Sequence, residues 1–374
     1  MQEKIRYTEL DIARGFGIVF MILVHTLLYF RPVSSKMVLF LGRFPAAPVF
    51  MFALGAGIVF SRHSSARELA RRGIKLFVFS YLFNFFAHVL PHLLLSYYDG
   101  TMRSLWIGLP ECFPSLLSVD ILQFAGLAFL FFALMKQLKI SDGKLALLSV
   151  LISAAGTVLR FTTSVEGIIL QAVVGLFWGT SPDISCFPFA SWILFPAAGY
   201  LAARHASEKN ADREKTFLYT GLISGTVYLV LSVIALLLNI QFANFGRLDK
   251  TPAEYYHMHL FGNVCVIAFV LAWISICHAL VRILPKPVIN TLCRWSKQIT
   301  PIYVIHFVIL NYLFYVIPHG ISNFQTVVLS LGVLAASDLL ASIWKYSRSH
   351  SCDCIGSSLM QMHQGGMEYG ESRD

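Results

Sequence analysis

Charge is what this sequence has least of. Only 13% of its 374 residues are Asp, Glu, Lys or Arg, against roughly 25% in an ordinary soluble domain, and 56% are apolar or aromatic. A water-soluble fold cannot hide that much apolar surface, because even large domains leave much of it facing solvent. Lipid removes the difficulty. Seven cysteines occur without a CxxC pair; the closest set, Cys352 and Cys354, offers two ligands and makes a poor metal site. A disulfide framework does not follow, and no bound metal is expected. A cleavable leader is not expected either: the first apolar run, 10–30, exceeds a signal core and no small-residue cleavage site follows it. Internal repeats, low-complexity tracts and a separate soluble domain are all missing.

What is present is a series of apolar runs. Stretches at about 10–30, 38–60, 73–95, 117–135, 188–203, 216–240, 258–281, 299–317 and 322–344 are long enough to span a bilayer. Region 145–180 holds two shorter pieces split by Arg160 and Glu166. The 31 Phe and 15 Tyr suit acyl-chain packing and headgroup anchoring. The net charge of +9 follows from basic residues gathered at cytoplasmic helix ends, so no nucleic-acid partner is implied.

Four basic clusters set the topology: Arg62, Arg67, Arg71, Arg72 and Lys75; Lys136, Lys139 and Lys144; Arg204, Lys209, Arg213 and Lys215; Arg282, Lys286, Arg294 and Lys297. With all four inside, 145–180 crosses once and adds a re-entrant or surface-lying piece. The expectation is an all-α polytopic membrane helix bundle of about ten spans with both termini cytoplasmic. The loop from Arg31 to Arg43, with three basic residues, falls outside and runs against the scheme. The membrane domain covers 1–348, and 349–374 reads as a polar, disordered tail.

Ionisable groups inside a span are costly and ask for a reason. The first span carries Asp11, Arg14 and His25. Asp11 and Arg14 are three apart and can pair; Arg14 and His25 share a face about 16 Å apart along the axis. The plain alternative for Arg14 is an arginine snorkelling to the inner surface, and for His25 a hydrogen-bonded core histidine. On this topology His88, Asp120, Gln123, His257 and His259 lie toward the outer side with His25. A histidine with a carboxylate there suits proton abstraction from a hydroxyl or amine. Asp120 is the preferred partner of His25, with helix capping its plain alternative. His306 lies alone in mid-span like His25, and Asp338 lies near the inner interface. On the inner side Arg71, Arg72 and Lys75 suit phosphate binding, or simply mark topology.

Six segments then occur in one order: YTELDIARGFGIVFMILVHT, APVFMFALGAGIVFS, RRGIKLF, DILQFAGLAF, FPFASWILFPAAGYLAA and ITPIYVIHFVI. Together they resemble the transmembrane acyltransferase superfamily, with the heparan-α-glucosaminide N-acetyltransferase catalytic domain and its bacterial relatives nearest. Acyltransferase family 3, which decorates bacterial envelope sugars, stands beside it. The resemblance implies that acetyl-CoA or another acyl-CoA is the donor in the cytoplasm. The acceptor it implies is a hydroxyl or amine of an envelope sugar or lipid-linked glycan on the other face. It matches Arg14 and His25 as site residues, with Arg71, Arg72 and Lys75 toward the donor.

On this expectation His25 is general base or acyl carrier, Arg14 binds or polarises the donor, and Asp120 or His306 orients or relays. The compact loops suggest a bacterial plasma membrane. The rival is a secondary transporter of a small anion or lipid-linked sugar, but the paired broken helices that would mark one are missing.

Overall fold

Runs of Leu, Ile, Val, Phe and Ala fold in lipid into the local structure that satisfies its own backbone hydrogen bonds. The computed structural model is accordingly all-α. It describes residues 7–30, 40–41, 43–98, 112–162, 165–180, 184–208, 213–240, 255–318 and 320–365. The helices are α1 Thr8–Phe30, α2 Ala47–Phe60, α3 Ala66–Tyr98, α4 Phe113–Leu117, α5 Ile121–Gln137, α6 Asp142–Thr162 and α7 Ile168–Phe177. They continue with α8 Phe189–Trp192, α9 Leu194–Glu208, α10 Arg213–Leu237, α11 Leu260–Ile283, α12 Lys286–Lys297, α13 Ile299–Leu313 and α14 Asn323–Gly365.

Six of these helices, α1, α3, α6, α10, α11 and α14, are long and apolar enough to cross a membrane; α2, α5, α7 and α13 are shorter apolar helices. Region 145–180 resolves into one full-length helix, α6, followed by the 10-residue α7. α14 continues to Gly365, into the segment expected to be a disordered tail, where no proline stops it. The rest of that tail, most of the Arg31–Arg43 loop and Lys209 lie outside the described residues.

Local sequence explains where the key helices begin. Ser65 caps α3, its Oγ accepting from the Glu68 amide while Glu68 accepts from the Ser65 amide. Asp120 and Gln123 form the same reciprocal cap at α5. Within α3, Phe85–Val89 widens into a π-helical turn that carries His88, a device frequent at functional sites.

Small residues let the helices touch. A Cβ on Gly55 would strike the backbone carbonyl of Pro196, and one on Gly199 that of Phe52, so α2 and α9 are in backbone contact. α1 runs through the middle and packs against α2, α11, α12, α13 and α14. α10 packs mainly on α11 and exposes Leu218, Leu222, Ile223, Leu229 and Val233, as a lipid-facing helix does.

Polar contacts gather the four basic clusters at one end of the bundle. Lys136 Nζ donates to Ser64 O (2.5 Å), Arg204 pairs with Asp142 (3.2 Å), and Arg213 donates to both oxygens of buried Glu9 (2.7 Å). Arg282 pairs with Glu214, and Arg294 with Asp338 at 2.7 Å. Asp338 is therefore a partner of α12 and is not simply bathed in water.

Candidate active site

α1 brings two polar groups into the bundle, and each meets a different partner. Near its start, Arg14 Nη2 donates to Asp11 Oδ1 at 2.5 Å, the i,i+3 pair expected from spacing. Near its end, His25 Nδ1 lies 3.0 Å from His306 Nε2, with the two rings within 6° of parallel. His306 is fully buried.

The hydrogen-bond pattern fixes the proton positions of this pair. His306 Nδ1 lies 3.1 Å from Ile302 O, and a carbonyl only accepts, so that nitrogen carries the hydrogen. In neutral His306 the proton is then absent from Nε2, so His25 Nδ1 must be the donor between the rings. His25 Nε2 keeps its lone pair in the neutral ring. If Nε2 takes up a proton, the bond to His306 persists and now supports an imidazolium. An aromatic collar holds the geometry: the Phe307 ring lies 4.6 Å from that of His25 and 4.5 Å from that of His306.

Asp120 is not the partner that meets His25. Its Oδ2 accepts a short hydrogen bond from Tyr303, and its Oδ1 accepts from the Ile121 amide at 2.8 Å. The reason is local: Asp120 is the N-cap of α5, and the cap fixes the direction of its carboxylate. Tyr303 in turn packs edge-on against His306, ring centroids 5.6 Å apart. The His88 ring lies edge-on to Phe307, centroids 6.0 Å apart, and so belongs to the same layer. His257 and His259 have partners elsewhere. His257 Nε2 donates to Ser185 O at 2.6 Å, and His259 Nδ1 caps α11 by accepting from the Gly262 amide.

A cavity of about 1080 Å³ joins the basic end of the bundle to this layer. Arg71, Arg72, Lys75, His63 and Glu68 line it at the basic end; Arg14, Phe50, Met51, Leu54, Leu122 and Phe124 line its body; Ile121 and Tyr303 line its far end. Arg72 lies over the Phe129 ring, 4.7 Å from its centroid. Phe129 and Ile121 are about two turns of α5 apart, so the cavity extends about 12 Å into the bundle. No cluster of three or more His, Cys, Asp or Glu able to hold a metal ion occurs among the described residues.

Sequence reasoning did not single out Tyr303, the side chain that touches the cavity, Asp120 and His306 together. Its position three residues before His306, on the same helical face, is the signal that could have found it.

Apolar helices long enough to cross a bilayer, enclosing a polar centre, define an integral membrane protein. Residues 7–343 match the family model described as an acyltransferase domain, and the chain belongs to acyltransferase family 3, the membrane acyltransferases. The match falls on the branch that the motifs set beside the heparan-α-glucosaminide type. No curated protein matches the chain.

Proposed function

We propose that this protein transfers an acetyl or other short acyl group across the membrane. The donor is cytoplasmic acyl-CoA, and the acceptor is a hydroxyl or amine of an envelope sugar or lipid-linked glycan on the opposite face. The setting of this reading is about ten spans with both termini cytoplasmic, the basic clusters on the inside, in a bacterial plasma membrane. One observation carries the reading: the cavity lined by Arg71, Arg72, Lys75 and Arg14 ends at Tyr303, which packs on His306, the ring that pairs with His25.

Arg71, Arg72 and Lys75 suit the phosphates of the nucleotide end, which carry several negative charges in a space wide enough to admit them. Arg14, deeper in the wall, lies toward the thioester arm. His25 Nε2 removes the proton from the acceptor hydroxyl or amine. The acceptor atom bonds to the thioester carbonyl carbon, and the C–S bond breaks. The CoA thiolate leaves and takes the proton back from His25. The same lone pair would serve in an acyl-His variant, with the acyl group resting on Nε2 before transfer. His306 plays the orienting part that a carboxylate plays in a Ser-His-Asp triad, but without a charge. Asp120 acts through Tyr303, fixing the phenol at the far end of the cavity.

The test is made in proteoliposomes of the purified protein with acetyl-CoA labelled in the acetyl group and envelope glycolipid as acceptor. Label appearing covalently in the glycolipid supports the reading. Glycolipid or label crossing the bilayer with no covalent transfer would instead favour the transporter.

A further inference from the structure

α12 is a surface helix with one buried corner. Lys286, Asn290, Arg294 and Lys297 face outward, while Leu292 and Ser296, four residues apart on one face, are buried. Both buried residues meet α1. A Cβ on Gly15 would come within 2.7 Å of Leu292 Cβ, so the two helices are in close contact there. One turn further along α12 and one turn back along α1, Ser296 Oγ donates to Asp11 Oδ1 at 2.8 Å. The same oxygen accepts from Arg14 Nη2, and Arg14 lines the large cavity. On its other side α12 is tied to α14 by the Arg294–Asp338 pair.

An i,i+3 Asp–Arg pair on one helix holds its geometry weakly, since the carboxylate can turn about its own side-chain bonds. A second donor from a neighbouring helix removes that freedom. Ser296 is only 2% exposed, so its hydroxyl does not exchange this partner for water. We propose that Ser296 is a positioning residue for the transfer reaction: it fixes the Asp11 carboxylate that holds the Arg14 guanidinium against the donor cavity. α12 thereby sets the posture of a cation it does not itself carry. This rests on the reading of that cavity as the acyl-CoA site.

The test uses the purified full-length protein, with acetyl-CoA affinity, turnover and thermal midpoint measured together. Ser296→Ala is expected to weaken acetyl-CoA affinity by about tenfold, the scale of one hydrogen bond to a charged group, with turnover at saturation much less affected. Ser296→Thr, which keeps the hydroxyl, should recover most of the loss. In an Arg14→Ala background Ser296→Ala should add nothing further to the affinity loss. An unchanged affinity with a lowered thermal midpoint, or a full additional loss on top of Arg14→Ala, would overturn the proposal and leave Ser296 as a packing residue. If Arg14→Ala itself binds acetyl-CoA like the wild type, the donor reading of the cavity fails, and this inference fails with it.

Discussion

His25 and His306, 281 residues apart in the chain, face each other across 3.0 Å with only one arrangement of protons open to the neutral pair. The Ile302 carbonyl sets that arrangement from the far side of His306, leaving His25 Nε2 as the free lone pair.

Removing the orienting ring should therefore damage chemistry more than donor binding. His306→Ala is expected to lower turnover by about a hundredfold while the KM for acyl-CoA stays within about twofold. Steady-state kinetics on matched amounts of folded protein check this. A change confined to KM would move His306 out of the catalytic layer and into the donor site.

Tyr303→Phe removes the donor from Asp120 and leaves that carboxylate short of a partner in the bundle. The expected cost is about 1–3 kcal/mol of stability, seen as a lower thermal midpoint, together with slower transfer. Asp120→Asn can still accept from Tyr303 and should lose less stability. If Tyr303→Phe melts like the wild type, the short contact contributes little to holding the site together.

Two glycines on α2 separate packing from function. Gly55→Val drives a side chain into the Pro196 backbone, which cannot move aside, and should cost about 3 kcal/mol or more in stability and most of the folded yield. Gly57 has nothing within 4 Å of where its Cβ would be, and it lines the large cavity. Gly57→Leu should fold normally yet weaken acyl-CoA binding by filling that space. Equal effects from both substitutions, read from solubilised yield and donor affinity, would contradict the assignment of the cavity.

Neutralising the basic mouth gives a graded result. Arg71→Ala and Arg72→Ala should each raise the KM for acyl-CoA by about tenfold, and added salt should narrow the difference from wild type. Arg72→Ala also gives up a guanidinium stacked over Phe129, so its loss should persist further into high salt.

The membrane class and most of the helices are legible in the sequence because bilayer thickness imposes a run length that composition alone reveals. The Asp11–Arg14 pair is legible too, since helical spacing is local arithmetic. His25 and His306 each stand out as a histidine that lipid makes costly. Their pairing does not, because it depends on how α1 and α13 dock, and single-sequence periodicity carries no such information. Asp120 shows the same limit. Its capping role can be read from the SVDILQ context, and that role turned its carboxylate to Tyr303 and away from His25. His257 and His259 fall on the same side as His25 on a one-dimensional map, but such a map gives no partners: one bonds Ser185 and the other caps α11. Ser296 gives no sequence signal at all, being one serine among many until α12 folds against Gly15.

The most direct test of the central claim is acetyl transfer from radiolabelled acetyl-CoA in membranes holding either the wild type or His25→Ala at matched expression. Label entering a glycan or lipid fraction with the wild type, and falling by at least about a hundredfold with the variant, is the predicted result. Equal label with both would contradict it, leaving His25 a core histidine and the chemistry elsewhere.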